Sequence, residues 1–197
     1  MKKILYAVVC FCLATSLNFS QKRIIESSEN ELNKIETVGS VISKKLLSTL
    51  QAELLKEMRT GNPSSAINLC NIKALPLTNE LLNSDQNILT IKRTTEKYRN
   101  PLNQPDSLEL IALRYFQNNW QKNPETYVQK VEENGAVYFK YYKALGMKGL
   151  CISCHGEQSK LDNDVQQKLT ELYPNDKATG YKVGDFRGAI SITFSSE

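Results

Sequence analysis

Histidine is almost absent from this 197-residue chain, which contains only His155. A single imidazole excludes a zinc site built on several histidines, and it excludes a metal ion held by two histidines of the same chain. It also leaves no second histidine to act as a general acid or base beside a metal centre. These absences narrow both the metal sites and the catalytic mechanisms that the chain can support.

Charge of one sign and long apolar runs are lacking as well. The 25 lysines and arginines nearly balance the 21 acidic residues, and the formal net charge of +4 falls to +2 without Lys2 and Lys3. Such balanced, alternating charge is typical of a solvated exterior and not of a nucleic-acid-binding surface. Beyond the N-terminal segment, no apolar run is long enough for a membrane helix. The sequence has no internal repeat and no low-complexity linker, so a single compact domain is predicted.

The N-terminus has the pattern of a secretory signal peptide. Lys2 and Lys3 precede an apolar run over 4–17 that is too short to span a bilayer, and polar residues follow from Ser20. We therefore expect a signal peptide over 1–20 and one domain over 21–197, exported to the periplasm. The alternative is that the segment is retained and tethers the exported domain to the membrane. After cleavage three cysteines remain, at 70, 151 and 154.

Periodicity along the rest of the chain predicts an α+β fold. Apolar residues at helical spacing predict a long first helix over 24–58 and further helices over 64–83, 106–120 and 163–173. Runs rich in β-branched and aromatic residues predict strands over 88–94, 126–131, 137–143 and 187–194. Asn134-Gly135, between two of these strands, is a strong hairpin signal. The expected result is a small, mostly antiparallel sheet with helices around it.

The most specific motif is Cys151-Ile152-Ser153-Cys154-His155. Two thiols one helical turn apart can add to the two vinyl groups of a haem, and the adjacent histidine can then bind the iron. A zinc site would need Cys70 as well and would still lack a second histidine. A thioredoxin-like pair would open a helix in a βαβ unit, whereas an antiparallel hairpin precedes this motif. Covalent haem attachment is therefore the favoured interpretation, and Cys151 and Cys154 are the predicted attachment residues.

The ligand opposite His155 is left open by the residues themselves. A bis-histidine haem within one chain is excluded by counting, so the candidates are Cys70, Met58, Met147, a lysine, a tyrosine or an open position. Met147 lies only four residues before Cys151, which makes the opposite face hard to reach. A helical cysteine such as Cys70 is more often a small buried apolar residue, and an intermolecular disulfide is a further alternative.

Four blocks of sequence resemble a family of exported single-haem c-type domains with a PAS-like fold, a domain of unknown function that occurs alone or fused to histidine kinases. The blocks are AINLCN at 66–71, IKRTT at 91–95 with RNPLNQP at 99–105, CISCHG at 151–156, and GYKVGDFRGAIS at 180–191. The resemblance implies one haem c bound at Cys151 and Cys154, with His155 and Cys70 as axial ligands. It also implies a long N-terminal helix beside a PAS-like antiparallel sheet.

The function expected from this arrangement is a periplasmic redox or small-gas sensor. A thiolate opposite an imidazole stabilises ferric iron and lowers the reduction potential, and on reduction it can exchange for NO or CO. The alternative is a low-potential electron-transfer cytochrome. A peroxidase-like enzyme ranks last, because no second histidine is present. Arg93 and Arg99 are candidate partners for the haem propionates. A redox or signalling protein is the expected partner, and the first helix is a candidate homodimer interface.

Overall fold

A computed structural model describes residues 22–60, 63–72, 74–82 and 86–196. The predicted signal peptide over 1–20 lies outside the described residues. Within the described ranges, no helix combines the length and the apolar character that crossing a membrane requires.

The first helix, α1, begins later than the sequence pattern predicts. Residues Lys22–Ile25 form a strand, β1, and α1 extends over Glu29–Thr60. Ser28 fixes this start, because its hydroxyl accepts a hydrogen bond from the Glu31 amide while the Glu31 carboxylate accepts one from the Ser28 amide. This reciprocal capping box satisfies two amides that have no partner inside the helix. The prediction of a helix from residue 24 is therefore wrong over its first five residues.

The remaining elements follow the predicted order. The later helices are α2 (Pro63–Ile72), α3 (Ala74–Leu82), α4 (Ser107–Asn119), α5 (Ile152–His155) and α6 (Asn163–Leu172). The later strands are β2 (Ile88–Thr94), β3 (Thr126–Glu133), β4 (Ala136–Gly146) and β5 (Phe186–Ser195). The single helix predicted over 64–83 is thus two helices, and residue 73 between them lies outside the described part.

The five strands form one antiparallel sheet in the order β1-β3-β4-β5-β2. The hairpin between β3 and β4 turns at Asn134 and Gly135, both at positive φ (53° and 81°), as the sequence predicts. The α+β class, with a PAS-like antiparallel sheet, a long N-terminal helix and flanking helices, is confirmed.

Each face of the sheet is covered by a different helix. On one face, α1 packs Ile42 and Leu46 against a core that includes Tyr141, Ile190 and Ile192. On the other face, α4 packs against a smaller cluster, made of Ala112, Leu113, Phe116, Tyr142 and Ala189. Alternate residues of β5 therefore face α1 and α4, as the pleat of a strand requires. This alternation decides which side chains can reach the site described next.

Candidate functional site

The Cys-x-x-Cys-His motif lies in a short helical segment that follows β4. A single 3-10 turn over Gly149–Cys151 leads directly into α5, and Gly156 ends it with an amide bonded to the Ile152 carbonyl. A Cβ at position 156 would lie 2.7 Å from that carbonyl oxygen, so only glycine fits this close approach. The motif is therefore wound tightly, with Cys151, Cys154 and His155 within about one turn of one another.

A cavity of about 620 Å³ lies beside the motif, and Cys151 and His155 both line it. Its apolar wall comes from α1, α3 and the end of β4, with Leu47, Leu50, Leu54, Leu77, Leu145 and Met147. Its polar wall comes from β2 and β5, with Arg93, Thr94 and Arg187. The volume lies within the roughly 300–1,000 Å³ that small-molecule and cofactor sites occupy.

The imidazole of His155 is held in one tautomer by the backbone. Its Nδ1 lies 2.7 Å from the carbonyl oxygen of Ala178. A carbonyl oxygen only accepts, so Nδ1 carries the proton and donates it, which leaves the lone pair on Nε2. The Tyr181 ring packs edge-on against the imidazole, with the two ring centres 6.4 Å apart. The backbone amide of Tyr181 donates a hydrogen bond to the His155 carbonyl. The ring is thus oriented before any ligand binds at Nε2.

The charge state of His155 also suits a metal ligand. Burial of the ring lowers the pKa of His155 well below its usual value of 6.5, and the nearby positive charges of Arg99 and Arg187 lower it further. The bond to Ala178 acts in the opposite direction but is the weaker influence. His155 is therefore neutral at pH 7, the form that coordinates a metal.

The two cysteines of the motif face different surroundings. Cys151 lines the cavity, whereas Cys154 packs against the cluster that α2 and α6 form, next to Ile67 and Leu161. The Cys154 sulfur lies 3.9 Å from the Pro63 carbonyl oxygen at the start of α2. Both thiols are half-buried. The motif thus bridges the cavity and helix α2.

Of the two arginines predicted from the sequence, Arg93 lines the cavity and Arg99 does not. The Arg99 guanidinium lies behind the motif, where Nε donates to Asp176 at 2.9 Å and Nη2 donates to the Cys154 carbonyl at 2.6 Å. The other carboxylate oxygen of Asp176 accepts from the amide of Ala178, the residue that binds His155. Arg99 therefore ties the motif to the loop that orients its histidine. Its predicted role as a propionate partner stays a prediction.

The candidate ligands opposite His155 differ in whether they line the cavity. Cys70 belongs to α2, but its side chain lies outside the described part of the structure. Helix α2 itself contacts α5 and packs against α1 and α6. Met147 is 4 % exposed and lines the cavity, whereas Met58, near the end of α1, does not line it.

Arg187 lines the cavity as well, although the sequence pattern does not predict it. Strict alternation would place it on the α4 face with Ala189. However, Leu145 pairs with Gly188 and Gly146 pairs with Phe186, so Arg187 is the extra residue of a β-bulge. Gly188, at φ 144°, allows the bulge, since a Cβ there would lie 2.5 Å from the Thr94 carbonyl oxygen. In the sequence, the available signal of this bulge was Gly188, a glycine inside a strand.

Comparisons with known proteins agree with this architecture. The sequence model of the Tll0287-like family matches residues 18–195. The fold is similar to the crystal structure of the cyanobacterial haem protein Tll0287, with a TM-score of 0.55 and 23 % sequence identity over 87 % of this chain and 98 % of that one. At this identity, the likeness to the solved structure shows the fold alone. No curated protein gives a significant match.

Proposed function

The chain belongs to the Tll0287-like family, and from this premise we propose that it is an exported haem protein. One haem c would be bound covalently at Cys151 and Cys154, with His155 as an axial ligand. The observation that carries the proposal is the oriented, neutral imidazole of His155 in the wall of a cavity that Cys151 also lines. A solved structure of similar fold is that of a haem protein, which supports the same conclusion.

The donor set and the shape of the cavity fit a haem. The porphyrin is a flat apolar body with two carboxylates at one edge, and the cavity offers leucines on one side and guanidiniums on the other. A histidine with a backbone-bonded Nδ1 and a free Nε2 lone pair is the usual state of an iron-binding imidazole. The two thiols lie on the same turn, as attachment to two vinyl groups needs, with Cys151 in the cavity wall and Cys154 against the cluster of α2 and α6.

Cys70 is the proposed second axial ligand. Support comes from its helix, because α2 contacts α5 and the Pro63 carbonyl at its start lies 3.9 Å from the Cys154 sulfur. A C70A variant is expected to show a changed ferric absorption spectrum and a higher reduction potential, since a neutral or weak ligand replaces a thiolate. M58L and M147L variants are the matched controls. An unchanged C70A spectrum together with a changed M147L spectrum would transfer the role to Met147.

The proposed role is a periplasmic redox or small-gas sensor. A bound haem would supply one-electron redox chemistry or a site for NO or CO. The chain's own contribution is to fix the His155 tautomer through Ala178, to exclude water with the leucines of α1, and to fasten the motif through Arg99. A redox or signalling protein would receive the change. The surface of α1, on which Val41 and Leu55 are exposed, is the proposed homodimer interface.

Electron transfer is the second candidate function. The observation that favours it is the exposure of Leu150, next to Cys151, since an apolar side chain at the edge of a redox centre suits brief contact with a partner protein. Spectra of the reduced protein under CO and NO separate the two functions. Ready binding of either gas supports sensing, and fast reversible reduction without gas binding supports electron transfer.

The test of haem attachment is an intact mass after expression with a haem-attachment system in the periplasm. The parent chain should carry the mass of one haem, C151A and C154A should each lose a thioether bond, and C151A/C154A should carry no covalent haem. A parent mass equal to that of the bare processed chain would refute the proposal. The same sample reports the cleavage position and hence the export of the protein.

A further inference from the structure

The polar wall of the cavity contains two arginines that form no ion pair within the described residues, although the carboxylate of Glu53 also lines the cavity. Arg93 and Arg187 have no carboxylate partner among the described residues. The neighbouring cations differ, because Arg99 pairs with Asp176 at 2.9 Å and Lys143, another lining residue, pairs with Glu125 at 2.6 Å. A partly desolvated charge without a counter-ion is costly, so an anion in the cavity would stabilise this wall.

Arg187 is held in place by its surroundings. Its Nη1 donates to the Thr95 hydroxyl at 3.2 Å and to the Lys97 carbonyl at 3.1 Å. Its guanidinium carbon lies 5.2 Å from the centre of the Tyr181 ring, which itself packs against His155. Because Nη1 makes both hydrogen bonds, the guanidinium group is held at this nitrogen, and its other nitrogens still carry N–H donors. Such a preorganised guanidinium loses little entropy on binding a carboxylate.

The β-bulge explains why Arg187 reaches this wall. Without the extra residue, its side chain would lie on the α4 face of the sheet, among Phe116 and Ala189. The bulge instead places Phe186 in the aromatic group with Phe116 and Trp120, and Arg187 lines both the cavity and a second pocket beside α4. Bulges re-aim side chains next to functional sites. The bulge thus allows Arg187 to line the cavity.

We propose that Arg187, together with Arg93, binds the carboxylates at the edge of the cofactor and thereby sets its orientation and potential. This inference rests on the proposed haem and adds to it the residue that recognises the propionates. Arg187 is the principal contact, since its hydrogen bonds to Thr95 and Lys97 fix it whereas no such bond holds Arg93 within the described part of the chain. Loss of its positive charge favours the ferric state and lowers the reduction potential.

The test uses the haem-loaded parent and three variants, R187Q, R187K and R114Q. Arg114 is an exposed arginine on α4 and serves as the matched control. In R187Q we expect a shift of the propionate bending modes in the resonance Raman spectrum and a lower reduction potential. In R187K the charge remains, so the potential stays near that of the parent while the modes still shift, because an ammonium cannot make a forked contact. R114Q should match the parent in both measurements.

Two outcomes separate this inference from the proposed function. A parent chain without covalent haem refutes the proposed function itself. A parent that carries haem, with R187Q indistinguishable from R114Q in both the Raman modes and the potential, overturns the role of Arg187 and leaves the haem in place. Where R187Q does not load haem, R187K decides: shifted modes support the role, and unchanged modes overturn it.

Discussion

Gly39 is the point of closest approach between α1 and the sheet, and its replacement by alanine should destabilise the protein. A Cβ at this position would lie 2.4, 2.6 and 2.7 Å from three ring carbons of Tyr141. Ordinary contacts between carbon atoms are about 3.5–4.0 Å. The ring is fully buried, and its hydroxyl lies 3.2 Å from the Ser40 hydroxyl and 3.3 Å from that of Ser43. The ring is therefore unable to move away, and α1 must shift.

The magnitude of this effect follows from two opposing contributions. Overpacking a core costs about 1–3 kcal/mol, and three contacts under 3.0 Å place G39A near the upper end of that range. Replacing a helical glycine by alanine stabilises by about 1 kcal/mol. The net loss is about 2 kcal/mol, which lowers the Tm of a chain of this size by about 4–8 °C.

The assay is thermal unfolding followed by far-UV circular dichroism. S48A, at an exposed position of the same helix, is the control and should not lower the Tm. In a Y141A background the clash is gone, so G39A should become neutral or stabilising there. A G39A protein with a Tm at or above that of the parent would refute the close packing of α1 on β4. Because α1 forms part of the apolar wall of the cavity, the displaced helix should also shift the absorption spectrum of the proposed haem.

Three further predictions concern charge and backbone. The pKa of Glu31 is lowered from 4.5 to about 2, chiefly by the hydrogen bond from Lys130. The contribution of Glu31 to the stability of the fold is therefore present above pH 4.5 and is lost as the pH falls from 4.5 to 2. The E31Q variant should lower the Tm at pH 6 and have little effect at pH 2. R99Q breaks a pair whose side chains are each 10 % exposed, and should destabilise by about 3 kcal/mol in denaturant unfolding. G188A meets both a positive φ and the Thr94 carbonyl at 2.5 Å, so it should lower the Tm by several degrees and reduce haem loading.

Each of these three variants has its own control variant. E29Q alters an acidic residue of the same first turn of α1 for which no ion pair appears among the described residues, so a pH dependence equal to that of E31Q would contradict the assignment. R99K keeps the charge and should lose part of the stability, whereas full stability in R99Q would show that the pair with Asp176 contributes nothing. G149A has open space around its Cβ, and a loss equal to that of G188A would count against the bulge.

Local features of the site were predictable from the sequence, and non-local ones were not. The motif at 151–155 and the Asn134-Gly135 turn are set by residues that neighbour each other in the chain, and the structure places both as the spacing indicates. The carbonyl that orients His155 belongs to Ala178, which is 23 residues away in a loop without a motif of its own. No periodicity identifies such a partner, because it is defined only when the loop is folded against α5.

The errors in the sequence-based predictions have physical causes too. The sequence pattern assigns Ile24 and Ile25 to the start of the first helix, but residues 22–25 pair with β3, and Arg23 binds Glu132 across the two strands at 2.9 Å. Arg187 is not predicted as a site residue, and alternation would not have found it, because one extra residue in β5 reverses which face the preceding side chains occupy. Arg99 pairs with Asp176, and its predicted role as a propionate partner stays a prediction.

The strand order has a consequence for how the domain is assembled. β5 lies between β4 and β2, and in the described sheet β2 pairs with no other strand. β2 therefore gains a partner only after the ten residues of β5 have been made, and long-range pairing of this kind is slow. The motif at 151–155 precedes β5 in the chain, so it is synthesised before β5. In a chain that emerges from its N-terminus, the thiols of Cys151 and Cys154 are therefore present before β5 can bring Arg187 to the wall of the cavity.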